Sequence, residues 1–70
     1  MEAQFGNRFK YLRKRSKLTQ KSVAEELHIT RQSISKWEQN ISLPPITLIV
    51  PISKVLGCTL NELFYDCDEN

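Results

Sequence analysis

The sequence predicts an all-α fold, a compact bundle of five short helices. Apolar residues recur at the three- and four-residue spacing of a helix face in one segment after another. Thr19, Thr30 and Thr59 each stand immediately before such a segment, where a hydroxyl can accept from the free amides of a first turn. A composition of 40% apolar residues with only two glycines fits a compact helical domain better than a disordered tail. At 70 residues the chain makes one domain, near the lower size at which a chain can bury an adequate core.

Phe5, Phe9 and Leu12 mark the buried stripe of a first helix over residues 5–16. Arg8, Lys10, Arg13, Lys14 and Arg15 make that helix strongly basic, and the cations of its last turn suit the negative end of the helix dipole. Thr19 opens a second helix that buries Val23, Ala24 and Leu27, with Ala24 small enough for a close helix crossing. His28-Ile29-Thr30 forms the turn. If that turn needs a positive φ, His is among the less costly choices after glycine. Thr30 caps a third helix that is expected to end around Asn40, a residue that tolerates the left-handed conformation. Ile34 and Trp37, and then Ile41, fall on its apolar side. Residues 19–40 therefore read as two helices joined by a tight turn.

Beyond it, Pro44 is held extended by the proline that follows, and Pro45 can take the first position of a fourth helix. Ile46, Ile49, Val50 and Leu56 are the expected apolar side of that helix. Pro51 falls inside it and removes an amide bond to the Thr47 carbonyl, at a cost of roughly 3 kcal/mol. A kink or a restart of the helix is expected there. Gly57 ends the helix through its free access to positive φ. Thr59-Leu60-Asn61-Glu62 is a capping box for a short fifth helix, whose Leu60, Leu63 and Phe64 face inward or toward a partner. Residues 66–70 read as a frayed acidic tail.

Net charge is +2, but residues 1–40 hold nine Lys/Arg against four Asp/Glu and residues 41–70 hold one against four. A basic half and an acidic half fit one side turned to a polyanion, and ordinary solvated helix faces fit as well. The third helix is more informative. At about 100° per residue, Arg31, Gln32, Ser35, Lys36 and Gln39 share one face. That face carries amides, cations and a hydroxyl, the groups that bond base edges and phosphates in a DNA major groove, and no carboxylate. Glu38, the only acid of the helix, sits at the border with the apolar stripe.

Other chemistries find little support. No apolar run approaches the roughly 18 residues of a membrane span, and the N-terminus lacks a signal peptide's apolar stretch, so a cytoplasmic protein is expected. The first helix has too narrow and short a stripe for a membrane surface. Cys58, Cys67 and the single His28 match no metal-ligand spacing, so neither metal nor cofactor is expected, and the thiols read as reduced. No nucleophile lies near a base with a third orienting group, and Gly6 and Gly57 are too far apart for a phosphate loop, so an enzyme is not expected. No small-molecule ligand is evident.

The string LTQKSVAEELHITRQSISKWEQNISLP, with a looser match through ISKVLGCTLNELF, resembles the lambda-repressor-like helix-turn-helix DNA-binding domains of the Cro/repressor and xenobiotic-response-element type. The resemblance runs from about Arg8 to Phe64 without a gap. It implies five helices with the third in the major groove. It places Gln20 at the glutamine that bonds a phosphate and buttresses the recognition helix. It places Thr30, Arg31, Gln32 and Lys36 where bases and nearby phosphates are reached; Ser33, Ser35 and Gln39 complete the candidate DNA-facing set. It also pairs Arg13 with Glu38 as a partly buried ion pair. Two residues depart from the pattern: His28 replaces the usual turn glycine, and Pro51 an ordinary helical residue.

The expected function is sequence-specific binding of double-stranded DNA by a prokaryotic, nucleoid-associated transcriptional repressor or regulator. A weak homodimer on DNA is expected to form through Leu60, Leu63, Phe64 and Tyr65. The alternative is an antitoxin or protein-interaction module of a toxin-antitoxin or phage regulatory pair, for which the acidic second half and residues 63–65 would serve.

Overall fold

A computed structural model describes residues 5–64. Among them, α1 spans Phe5–Arg15, α2 Gln20–Leu27, α3 Arg31–Glu38, α4 Ile49–Leu56 and α5 Leu60–Phe64, with a 3-10 turn Ile46–Leu48 leading into α4. No strand occurs among these residues, and none of their helices is long and apolar enough to cross a membrane. The chain is all-α, as its periodicity predicts.

All five helices contribute to one core. Phe9, Leu12, Val23, Ile34, Ile52, Leu56 and Leu63 are fully buried, joined by Phe5, Ala24, Leu27 and Trp37. The Phe9 ring meets Trp37 edge-on at 5.8 Å between centroids, and Phe5 tilts against Phe9 at 5.8 Å and Phe64 at 5.6 Å. These ring pairs tie α1 to α3 and α5, in the geometry that aromatic quadrupoles favour.

The helices start and stop by local chemistry. Thr19 Oγ1 accepts from the Ser22 amide at 3.0 Å, and Ser22 Oγ accepts in return from the Thr19 amide at 3.1 Å. Thr59 and Glu62 do the same for α5, at 3.0 and 2.9 Å. Four helices stop in one way, with a left-handed residue just past the last turn: Lys17 (φ 61°), His28 (59°), Asn40 (61°) and Gly57 (66°). In each case that residue's amide and the next one bond back to the last turn, as Asn40 does to the Trp37 carbonyl at 3.1 Å and Ile41 to Lys36 at 2.9 Å. Three of the four are not glycine. His28 does adopt the positive φ for which it is among the less costly choices after glycine.

Several expectations need correction. Helix α3 ends at Glu38, and the left-handed Asn40 turns the chain away, so Ile41 is 63% exposed rather than continuing the stripe of Ile34 and Trp37. The stretch after Pro45 is not one helix. Its 3-10 turn has a tighter period than the α-helix that follows, and the change of phase leaves Ile46 86% exposed and Val50 about half exposed. Ile52 fills the core instead, with Leu56 as expected. Of the kink or restart expected at Pro51, the structure shows a restart: the α-helix begins at Ile49 after the 3-10 turn, which puts Pro51 third, in the first turn where a helix amide has no intrahelical partner. Leu63 is fully buried between α5 and the rest of the core, so it cannot serve a dimer contact. Tyr65, Cys67 and the tail 66–70 lie outside the described residues.

Candidate nucleic-acid interface

The turn between α2 and α3 is set by backbone chemistry. His28 in the left-handed region lets the Ile29 amide donate to Ala24 at 3.0 Å, which reverses the chain within three residues. Thr30, in extended conformation, then opens α3: its Oγ1 accepts from the Ser33 amide at 3.2 Å and lies 3.2 Å from the Ser33 hydroxyl. With that start fixed, Ile34, Trp37 and Glu38 turn inward and Arg31, Gln32, Lys36 and Gln39 outward. Ser33 and Ser35 stand half-buried on the flanks.

The outward residues differ in how free they are. Gln39 Nε2 donates to Ser35 Oγ at 2.7 Å, one turn back on the same face. Thr30 and Ser33 are occupied with the cap. Arg31, Gln32 and Lys36 have no side-chain hydrogen bond or ion pair among the described residues, and they project from the first two turns of the helix. The exposed face carries two cations and no carboxylate, because Glu38 is turned away from it.

Behind that face lies a buried polar cluster joining three helices. Arg13 Nε of α1 donates to Glu38 Oε2 of α3 at 2.6 Å, and Nη2 donates to Oε1 at 3.2 Å. Both residues are only 8% exposed. Arg13 Nη1 donates to the Leu18 carbonyl at 2.8 Å, and Gln20 Nε2 at the start of α2 donates to Glu38 Oε1 at 3.0 Å. A planar guanidinium and a carboxylate meeting in a two-bond fork lose little freedom on pairing. Among the described residues no buried side-chain nitrogen or oxygen lacks a partner. Gln20 thus holds α3 through Glu38, and the second hydrogen of its amide remains for another acceptor.

One contact had no signal in the sequence. The Gly6 amide of α1 donates to Asn40 Oδ1 at 2.9 Å, across 34 residues. Only a complete fold brings the start of α1 to the end of α3. Elsewhere, burial and then the charge of Glu62 push the half-buried Cys58 thiol up, so it stays neutral at neutral pH and is a poor nucleophile. No group of three or more His, Cys, Asp or Glu among the described residues could hold a metal ion.

Comparison with known proteins follows this geometry. A sequence profile described as helix-turn-helix matches residues 9–63, well over half of the chain. Control protein C.MunI of a Mycoplasma species is 37% identical over 73 residues, covering 99% of this chain and 95% of that protein. DicA, an HTH-type transcriptional regulator of Escherichia coli, is 43% identical over 54 residues, and BcrR, an HTH-type transcriptional activator of Enterococcus faecalis, is 37% identical over 60. The matches cover 77% and 86% of this chain but only 40% of DicA and 29% of BcrR. Among solved structures, the P22 c2 repressor in complex with a synthetic operator superposes with a TM-score of 0.81 at 26% identity, covering 89% of this chain and 94% of that one. The restriction-modification controller protein C.AhdI of Aeromonas hydrophila shares the fold, with a TM-score of 0.80 at 24% identity. The chain belongs to the helix-turn-helix family, in its lambda-repressor-like form.

Proposed function

We propose that this chain binds double-stranded DNA in a sequence-specific manner and acts as a transcriptional repressor, reading the major groove with α3. The observation that carries the proposal is the exposed face of α3: Arg31, Gln32 and Lys36 project unpaired from a helix whose only acid is buried behind it. An α-helix fits the major groove, and cations with an amide match the guanine and adenine edges there. In this reading Arg31, Gln32 and Lys36 reach bases. Thr30, Ser33, Ser35 and Gln39 meet phosphates at the rim, and Gln20 meets one with its second amide hydrogen. Repression is the action assigned, because blocking a promoter needs only tight and correctly placed binding.

The rest of the reading follows from the target. A protein acting on chromosomal DNA works in the cytoplasm, at the nucleoid, without a catalytic residue or cofactor, and residues 1–70 serve as one DNA-binding domain. Leu60 and Phe64 remain exposed on α5 and supply the apolar contact of a weak homodimer on DNA. Its half-sites would lie about 10–10.5 base pairs apart, centre to centre, or a multiple of that. A second reading, a module whose main surface binds protein, draws on the exposed Ile41, Leu43 and Ile46 that follow α3 in the chain.

Selection of bound DNA from a random pool, followed by titration against salt, tests the proposal. Enrichment of one site with an affinity that falls steeply as salt rises supports it, because each neutralised phosphate releases counterions. No enrichment, and no salt slope on any DNA, would favour the protein-binding reading.

A further inference from the structure

We infer that Asn40 is a positioning residue that sets the angle of α3 against α1, and through it the register of the reading face. The inference rests on the DNA-binding reading above for its consequence in specificity, and on the geometry alone for the clamp itself. Asn40 does two things. Its backbone, left-handed at φ 61°, ends α3, with its amide on the Trp37 carbonyl at 3.1 Å. Its side chain crosses to α1, where Oδ1 accepts from the Gly6 amide at 2.9 Å, and Nδ2 reaches Asn7 Oδ1 at 3.4 Å.

Gly6 is built for this approach. A Cβ there would lie 2.2 Å from the Trp37 carbonyl oxygen, 2.7 Å from Asn40 Oδ1 and 2.9 Å from the Glu38 carbonyl oxygen. The last turn of α3 therefore rests on bare backbone of α1, and any side chain at position 6 would push the two helices apart. The start of α3 is held independently by the Thr30 cap and the turn from α2, and Glu38 in its last turn is tied to α1 through Arg13, so Asn40 fixes the tilt that this one pair leaves open. A helix of eight residues is about 12 Å long, so a tilt of about 5° about its fixed start moves its far end by about 1 Å. That displacement exceeds the roughly 0.5 Å tolerance of a preorganised site. It falls on Lys36 and Gln39, near the clamped end, and spares Gln32.

The test uses the full chain and two variants. Asn40→Gly keeps the left-handed turn, which glycine adopts freely, and removes the clamp; relief at φ offsets the lost bond, so the fold is retained. Asn40→Asp keeps an oxygen acceptor for the Gly6 amide. Residual dipolar couplings report the α1–α3 angle, amide exchange reports Gly6, and a panel of single-base variants of the DNA that the wild type selects reports specificity. Asn40→Gly is expected to change the angle and to speed Gly6 exchange by about tenfold. It should also flatten discrimination at the base pairs facing Lys36 while leaving those facing Gln32 intact. Asn40→Asp is expected to restore the angle and the discrimination pattern, with one uniform loss of affinity from its added charge. An unchanged angle and unchanged Gly6 exchange in Asn40→Gly would overturn the inference, as would a uniform loss across the panel. A wild type that selects no DNA would instead refute the regulatory reading, and the couplings and exchange would still decide the clamp.

Discussion

Replacing Glu38 with alanine removes the acceptor of three hydrogen bonds at once. Arg13, 8% exposed, would keep only its bond from Nη1 to the Leu18 carbonyl, and its Nε and Nη2 would be left without partners inside the fold. Gln20 is half-exposed and can turn to water, so its loss adds little. Removing one partner of a buried, hydrogen-bonded ion pair costs about 3–5 kcal/mol, because the surviving charge stays in a medium that solvates it poorly. A chain of 70 residues at roughly 0.05–0.15 kcal/mol per residue has only about 3.5–10 kcal/mol in total. At roughly 4–8 °C per kcal/mol for a domain of this size, the melting temperature should fall by at least about 12 °C. Thermal unfolding followed by circular dichroism measures this directly. The single variants Glu38→Ala and Arg13→Ala, with their double, close a thermodynamic cycle, and the double should lose much less than the sum of the singles. Replacing the pair by leucine and methionine, which fill a similar volume, should recover most of the stability. A Glu38→Ala protein melting within a few degrees of the wild type, or a coupling near zero, would refute the reasoning.

Other outcomes follow from the same geometry. Trp37→Ala removes the ring that meets Phe9 and should cost about 3–5 kcal/mol; urea unfolding that retains a near-normal midpoint would contradict it. His28→Gly should raise stability by up to about 1 kcal/mol, since a non-glycine residue at φ 59° carries about 1–2 kcal/mol of strain and glycine returns part of that as chain entropy. Gly57→Ala should do the reverse and destabilise by about 1 kcal/mol, although nothing lies within 4 Å of the added methyl, so any loss measured by melting is backbone strain alone. Leu60→Lys leaves the core untouched and should abolish dimers on DNA in sedimentation experiments while retaining the monomer's melting temperature.

What the sequence made legible was local chemistry. The caps at Thr19, Thr30 and Thr59, the apolar spacing of α1 to α3 and the tolerance of His28 for a positive φ each depend on neighbours within four residues. The left-handed conformation of Lys17 has no signal in the sequence, because lysine has no preference for it and accepts it only where the turn into α2 demands it. The phase of α4 is hidden for another reason. Periodicity assumes one helical period, and the 3-10 turn after Pro45 changes it, which exposes Ile46 and Val50 and buries Ile52. Leu63 shows the limit of reading apolar residues on a short helix, where spacing alone does not separate a core face from a docking face. Long-range pairs divide similarly. Arg13 and Glu38 stand 25 residues apart and entered only through family resemblance, and Gly6 with Asn40 had no such guide.

The central claim is that α3 reads sequence, and binding of Lys36→Ala and Gln32→Ala to a panel of single-base operator variants tests it most directly. Gln32 suits an adenine edge, donating to N7 and accepting from the N6 amine, and Lys36 suits guanine O6 and N7. Each substitution should cost about 1–3 kcal/mol on the preferred site and relax discrimination at its own base positions. Gln20→Ala, as the control on a phosphate contact, should weaken every site by a similar factor and leave their ranking unchanged. If Lys36→Ala and Gln32→Ala also lower every affinity by one common factor, α3 holds the backbone without reading the bases, and the account is wrong.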